Sequence, residues 1–453
     1  MVSTLRDLAQ DGRLTELREW LDGHGTLEIA DGLARLDPDE RAVPFRLLDK
    51  GRALAVFEAL DPVHQQQLLD ALRDERVVEL VSAMAADDRA RLLDEMPAKV
   101  AARLTVGLSA ADRQATATLL GYPPDSAGRI MSPDFISLRA TTTATEAVAK
   151  LRSAGRRSQR SRAVVLPVTD GQRHLAGVVD LLDLVTAPPD TLVADLMRPE
   201  TLLVRATDDQ EVAARLIQEA DLVALPVVDR EDRLVGLITV DDAMEVLEAE
   251  ETEDISRAGG AEPLDRPYLA ASVAQLARKR VVWLLVLIAA AALTVNVLQY
   301  FEGTLATVVT LALFIPLLIG TGGNCGAQAA TVVVRAMAVG EVRFTDLSKI
   351  IWREALVGIL LGAMLAAVGF PLVALYTAVT GSGDWGFAVQ MAAVVSITMV
   401  SVCTWASFVG GLLPVLAKRI GIDPAVVSAP LITTLVDATG LVIYFLIARA
   451  ILL

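Results

Sequence analysis

Four stretches of this 453-residue chain carry no charged side chain over lengths that a bilayer requires: Val281 to Phe301, Gly303 to Val334, Ala355 to Gly383 and Trp385 to Ala417. About 20 apolar residues in helical form cross the hydrocarbon layer, so each run predicts a membrane span. A fifth run, Pro424 to Ala448, is interrupted by a single charge, Asp437. Apolar sequence on this scale excludes an ordinary soluble enzyme.

Charge divides the chain in two. Residues 281–453 hold seven Lys/Arg and seven Asp/Glu, so the net charge of −15 resides in residues 1–280. An acidic soluble part repels nucleic acid and attracts cations. Met1 to Gln10 lacks the apolar core of a secretory signal, which places residues 1–280 in the cytoplasm. Arg278, Lys279 and Arg280, then Arg335, Arg343, Lys349 and Arg353, then Lys418 and Arg419 alternate with loops holding only Glu302 or Asp384. By the positive-inside rule the first, third and fifth spans run outward through the cell membrane and the C-terminus lies outside. The two cysteines, Cys325 and Cys403, lie within apolar runs; they offer no disulfide framework and no thiolate metal site, and read as small packing residues.

Two internal repeats organise the acidic part. Leu36-Asp37-Pro38 recurs as Leu60-Asp61-Pro62, Met84-Ala85-Ala86 and Leu108-Ser109-Ala110, a period of 24 residues. Each unit reads as turn, helix, short break, helix, the pattern of a small helical solenoid, and this N domain is assigned residues 1–123. Gly121-Tyr122-Pro123-Pro124 ends it. A second repeat, of period 66, aligns Met131-Ser132-Pro133 with Met197-Arg198-Pro199. Each copy continues into two short apolar strands, Val164 to Val168 with Gly177 to Asp180, and Ala224 to Val228 with Gly236 to Thr239, and then a helix. This order resembles a tandem pair of CBS domains, assigned to 124–248 with copies at 131–187 and 197–248. The resemblance implies an adenosine nucleotide, ATP, in the cleft between copies, with Asp183 and Asp242 at the ribose-carboxylate place and Thr239 preceding the second; the first copy has Asp180 where Ser or Thr is usual.

The chemistry concentrates in three places. Asp437 lies mid-span, where an ionised group costs a few kcal/mol and is functional by default. On a helix Pro430, Thr433, Thr434 and Gly440 share its side. The second span carries Pro316 and four glycines, Gly320, Gly322, Gly323 and Gly326, within eleven residues, which predicts a broken or kinked helix; close packing through small residues is the alternative reading. Thr321, Asn324, Gln328, Thr331 and Arg335 form a polar stripe there. Third, Asp241 to Asp254 contains eight acids and no Lys or Arg, acids that repel one another on a continuing helix. A connecting acidic helix is assigned to 249–280, and the membrane domain to 281–453. No His-Glu-x-x-His motif occurs, so no catalytic residue is assigned. His24, His64 and His174 stand apart outside the spans, unlike the ligands of a transition-metal pathway.

The runs Pro316 to Gln328 and Ser428 to Gly440, with the order helical repeat, CBS pair and five spans, resemble the MgtE family of Mg²⁺ transporters and channels over essentially the whole chain. The resemblance implies a multidomain fold: an all-α helical-repeat N domain, an α/β CBS pair and an α-helical five-span membrane domain. It implies a homodimer whose pore is lined by the second and fifth spans, with paired Asp437 carboxylates at the ion and Gly323, Asn324, Gln328, Thr433 and Thr434 in the lining. It also implies regulatory Mg²⁺ ligands at Asp87, Glu211, Asp221, Asp242, Glu245, Glu250, Glu253 and Asp254, whose occupation closes the pore. Two positions depart from the pattern: Ala429, where relatives can carry Asn, and Arg91, where an acid is expected. Transport of another divalent ion (Co²⁺, Mn²⁺ or Ca²⁺) and a nucleotide- or metal-sensing receptor remain the alternatives.

Overall fold

The computed structural model describes residues 2–72, 74–96, 98–155, 165–264, 268, 271–380 and 384–453. Val164 and Gly383, which bound two of the predicted segments, lie outside the described residues. By internal contacts the chain divides into two compact units, 1–250 with 266–270, and 251–265 with 271–453.

In the first unit ten helices come first: α1 Val2–Gln10, α2 Leu14–Gly23, α3 Thr26–Ala34, α4 Pro38–Leu47, α5 Lys50–Glu58, α6 Pro62–Ala71, α7 Asp74–Ala83, α8 Ala86–Glu95, α9 Ala98–Gly107 and α10 Ala110–Leu120. The 24-residue period is visible in their caps. Leu36, Leu60, Met84 and Leu108 are all buried. The next residue is the N-cap, where Asp61 accepts from the His64 amide at 3.0 Å and Ser109 from the Asp112 amide at 3.1 Å. Side-chain oxygens there satisfy amides that have no helical partner. Pro38 and Pro62 stand in the first turn, where no amide hydrogen is needed.

The same period places Arg41, Gln65, Arg89 and Arg113 at one position, and sequence reasoning missed their role. Arg41 donates to the carbonyls of Leu33, Ala34 and Leu36, Gln65 to that of Phe57, and Arg113 to that of Leu108. Arg89, 1% exposed, reaches Met84 O and Thr116 Oγ1 and pairs with Asp112 at 3.4 Å. Each repeat thus uses a long polar side chain to satisfy carbonyls left open around the preceding helix end. A charge this deep is tolerated because its hydrogen bonds are made.

Next come α11 Ala127–Ile130, α12 Ala144–Gly155, β1 Val165–Thr169, β2 Leu175–Asp180, α13 Leu181–Thr186, α14 Val193–Leu196, β3 Val204–Arg205, α15 Gln210–Glu219, β4 Ala224–Val228, β5 Leu234–Thr239 and α16 Val240–Ala258. β1 pairs antiparallel with β2, while β3 runs parallel to β4, which is antiparallel to β5. The copies match: Leu138 bridges Val168 in parallel where β3 meets β4. Ala86 and Ala90 of α8 join the second copy's core with Ala127, Met131, Ile217 and Ile238.

The second unit contains α17 Val273–Tyr300, α18 Glu302–Thr307, α19 Leu311–Ala338, α20 Leu347–Thr380, α21 Trp385–Arg419 and α22 Ala429–Leu452. Five of these, all but α18, are long and apolar enough to cross a membrane. α21 packs against α19, α20 and α22, and α17 touches α22. No residue of α17 is buried.

Two expectations need correction. The Pro316 to Gln328 run does not break its helix: α19 is continuous through it, and the interruption falls earlier, at 308–310. In an apolar medium the backbone keeps its hydrogen bonds internal, and Gly322, Gly323 and Gly326 serve close packing instead. The acidic helix is also not a separate element extending to residue 280. α16 begins directly after β5 and stops at Ala258, where Gly260 turns the chain with φ +70°, a conformation that suits glycine.

Candidate functional site

α22 presents Asp437 toward the glycine face of α19. A Cβ placed on Gly323 would lie 3.4 Å from Asp437 Oδ1 and 3.3 Å from the Thr433 side chain; one on Gly322 would meet Val402 at 2.3 Å, and one on Gly326 would meet Ile432 at 2.9 Å. The glycine run therefore brings the α19 backbone against α21 and α22 and leaves space for one carboxylate. Asp437 is half-buried, and among the described residues no side chain is hydrogen-bonded to it. Thr433 and Thr434 both donate to the Pro430 carbonyl at 2.8 Å, so their hydroxyl protons are used and their oxygens stay available as acceptors. Asn324 and Gln328 lie on the exposed side of α19. The result is one acid with two hydroxyl oxygens on α22 and two exposed amides on α19, groups that suit a hard, hydrated cation. Tyr444 donates to Leu311 O at 3.0 Å, holding α22 to the start of α19.

The C-terminal part of α16 reaches both of these helices. Glu251 pairs with Arg335 near the end of α19 at 3.6 Å. Arg257 pairs with Glu253 and with Asp423, in the turn that precedes α22. Gly260 approaches Pro430 and Ser428. Predicted self-repulsion along α16 is thus offset by Arg257 on the helix itself and by Arg335 from α19, the second a pairing that a one-dimensional charge count cannot reveal.

In the first unit a cavity of about 280 Å³ is lined by Asp87, Asp88, Arg91, Asp94, Asp125, Arg129, Asp242 and Glu245 with apolar neighbours. Arg91 pairs with Glu245 and with Asp88 at 3.1 Å, and Arg129 with Asp94 at 2.8 Å. Asp87 Oδ1 is buried with no hydrogen-bond partner. Burial, with help from Asp242 and Asp88, pushes the Asp87 carboxyl up to about 7. Burial likewise pushes Asp242 up to about 6, against the hydroxyl of Thr239 and with Asp241, Asp88 and Glu245 adding to it.

Of the predicted regulatory residues, the structure brings together Asp87, Asp242 and Glu245. Glu211 is engaged by Arg215, Gln210 donates to Glu250 at 3.1 Å, and Asp221 stands exposed at a turn with φ +51°. Asp254 shares α16 with Glu253. No group of three or more His, Cys, Asp or Glu poised to hold a metal occurs among the described residues. At the CBS pair Asp183 is exposed, Thr239 is hydrogen-bonded to Asp241 and Asp242, and Asp180 pairs with Arg198.

The raised carboxyls give a stability prediction with a definite sign. A carboxyl whose folded value lies above its unfolded one keeps its proton where the unfolded chain has lost it, so stability falls as pH rises. Between about pH 4 and pH 7 the Asp87 and Asp242 carboxyls should therefore lower the thermal stability of the wild type. The Asp87→Asn variant should be the more stable protein at pH 8 and show a flatter profile. Thermal unfolding at pH 5 and pH 8 checks this, and equal pH dependence in both proteins would refute it.

The N-terminal repeats match the MgtE intracellular N domain over residues 25–125, the two copies match the CBS domain over 127–190 and 193–249, and a match to the MgtE divalent cation transporter domain over 315–447 covers most of α19 to α22. The magnesium transporter MgtE of Thermus thermophilus is 37% identical over 99% of this chain and 98% of its own length. The chain belongs to the MgtE family. The Bacillus subtilis magnesium transporter MgtE is 30% identical over 98% of the chain and 95% of its own length. Among solved structures, the cytosolic domain of the Mg²⁺ channel MgtE in complex with ATP superposes with TM-score 0.51 and 33% identity, covering 54% of this chain and all of that one. The family has the fold seen here: helical N domain, CBS pair and membrane helices.

Proposed function

We propose that this MgtE-family protein carries Mg²⁺ across the cell membrane as a homodimer, with residues 1–280 in the cytoplasm and the C-terminus outside. The observation that carries the reading is Asp437: a half-buried carboxylate on an apolar helix, set 3.4 Å from where a side chain at Gly323 would begin. Two copies would line one path with two such carboxylates and with Asn324, Gln328, Thr433 and Thr434. They would accept hydrogen bonds from the water shell of an ion that dehydrates reluctantly.

Closure would work through α16, which is ion-paired to Arg335 near the end of α19 and to Asp423 just before α22. Cytoplasmic Mg²⁺ bound among Asp87, Asp242, Glu245 and the acids farther along α16 would stabilise one setting of that helix over another, as differential affinity requires. Arg91 stands in the same cavity as a tethered cation and would supply part of the neutralisation a metal gives elsewhere. ATP at the CBS pair is proposed by likeness to the cytosolic domain solved with ATP, with Asp183 and Thr239 as the candidate contacts.

Flux into liposomes containing the purified protein tests the transport reading. Mg²⁺ should enter and be slowed by raised Mg²⁺ on the side of residues 1–280, while Co²⁺, Mn²⁺ and Ca²⁺ offered at equal concentration should compete weakly. A flux that prefers one of those ions would overturn the choice of Mg²⁺.

A further inference from the structure

Cys325 of α19 and Cys403 of α21 are 78 residues apart in sequence, yet their sulfurs stand 3.5 Å apart within the membrane core. They are 7% and 0% exposed. A disulfide brings two sulfurs to about 2.0 Å, so about 1.5 Å of approach would close the bond. The backbones around the pair are already close. A Cβ on Gly326 would lie 3.3 Å from the Ala406 carbonyl, and one on Gly410 would lie 2.4 Å from the Gly326 carbonyl. At this separation the two thiols also share an S–H···S hydrogen bond, and nothing in the ion path requires a thiol.

We propose that Cys325 and Cys403 form a reversible intramembrane disulfide that clamps α19 to α21. The oxidant belongs to the class of lipid-soluble quinones, since the bilayer around the pair keeps out charged thiols and disulfides but admits uncharged ones, dithiothreitol among them. Two S–H bonds break, one S–S bond forms, and two protons and two electrons convert the quinone to a quinol. Reduction by a membrane-permeant dithiol reverses it. Cys325 follows Asn324 on α19, so the clamp would fix the position of that path-lining segment. This consequence rests on the proposed transport function; the disulfide itself does not.

The test uses the full chain in liposomes treated with duroquinone, whose ring is fully substituted and cannot add thiols. Free thiols are then counted by maleimide-polymer labelling after denaturation in detergent. Both cysteines should label before oxidation, neither after it, and both again after dithiothreitol. The peptide pair joined through Cys325 and Cys403 should be two hydrogens lighter by mass. The Cys325→Ala and Cys403→Ala variants should each keep their remaining thiol labelled after oxidation. Persistence of both thiols in the oxidised wild type overturns the proposal, as does loss of the remaining thiol in either variant.

Flux measured in the same vesicles should lose its response to Mg²⁺ on the side of residues 1–280 after oxidation and regain it with dithiothreitol. Closed thiols with an unchanged Mg²⁺ response would overturn the clamp's hold on conduction. Absence of flux under every condition would strike the transport reading and leave the thiol count to decide the disulfide.

Discussion

Asp437→Ala should abolish most Mg²⁺ flux while the protein still folds. Even at the dielectric of bulk water, a divalent ion about 5 Å from a carboxylate gains about 1.7 kcal/mol, and the gain is larger where water is partly excluded. One lost carboxylate therefore costs at least about tenfold in occupancy of the path, and two lost from a dimer cost a few hundredfold. Folding should survive because Asp437 is held by no side-chain hydrogen bond among the described residues, and its removal leaves no buried group unpaired. Asp437→Asn, which keeps shape without charge, should lose nearly as much, whereas Asp437→Glu should keep part of the flux. Wild-type conduction by Asp437→Ala, at equal protein in the vesicles, would remove Asp437 from the path.

Neutralising Glu245, Glu250 and Glu253 together, each to Gln, should leave a pore that conducts but does not close at Mg²⁺ concentrations that shut the wild type. Moving an equilibrium from 99% open to 99% closed takes about 5.5 kcal/mol, and a site filled at ten times its dissociation constant supplies about 1.4. About four sites must therefore act together. Where the three acids each serve a different one of these sites, one site remains and the ratio of open to closed falls only from about 99:1 to about 9:1, so the pore stays roughly 90% open. A single neutralisation should move the midpoint modestly. At Glu253 part of that change would come from releasing Arg257, which also holds Asp423. Flux measured against Mg²⁺ on the side of residues 1–280 decides the matter: a triple variant that closes at the wild-type concentration would make α16 a solvated connector.

Several features of the site were legible in one dimension because each is carried by local chemistry. A lone acid in an apolar run marks itself, since nothing nearby in sequence can compensate it, and the period-24 caps announce helix starts through the same residues that make them. The glycine run left two readings open, a break or close packing, and only the neighbours Val402, Ile432 and Asp437, set against Gly322, Gly326 and Gly323, decide for the packing surface. The acidic run was read as mutual repulsion because its partners Arg91 and Arg335 are distant in sequence. Arg41, Gln65, Arg89 and Arg113 were overlooked although their spacing equals the repeat; reading the polar positions of the repeat as carefully as the apolar ones would have found them.

The sequence by itself determined the five membrane helices, the helical repeat, the paired α/β copies and the family, because hydrophobic length, turn chemistry and periodicity act over a few residues and need no distant partner. Only the tertiary structure decided which groups meet. It set Asp437 against Gly323, gave the acids of α16 their cations, left Asp87 with a buried oxygen and no partner, and brought Cys325 within 3.5 Å of Cys403. Each of these depends on the packing of helices far apart in the chain, and burial and ion pairing change with the distance between side chains in space, a distance that residue order alone does not contain.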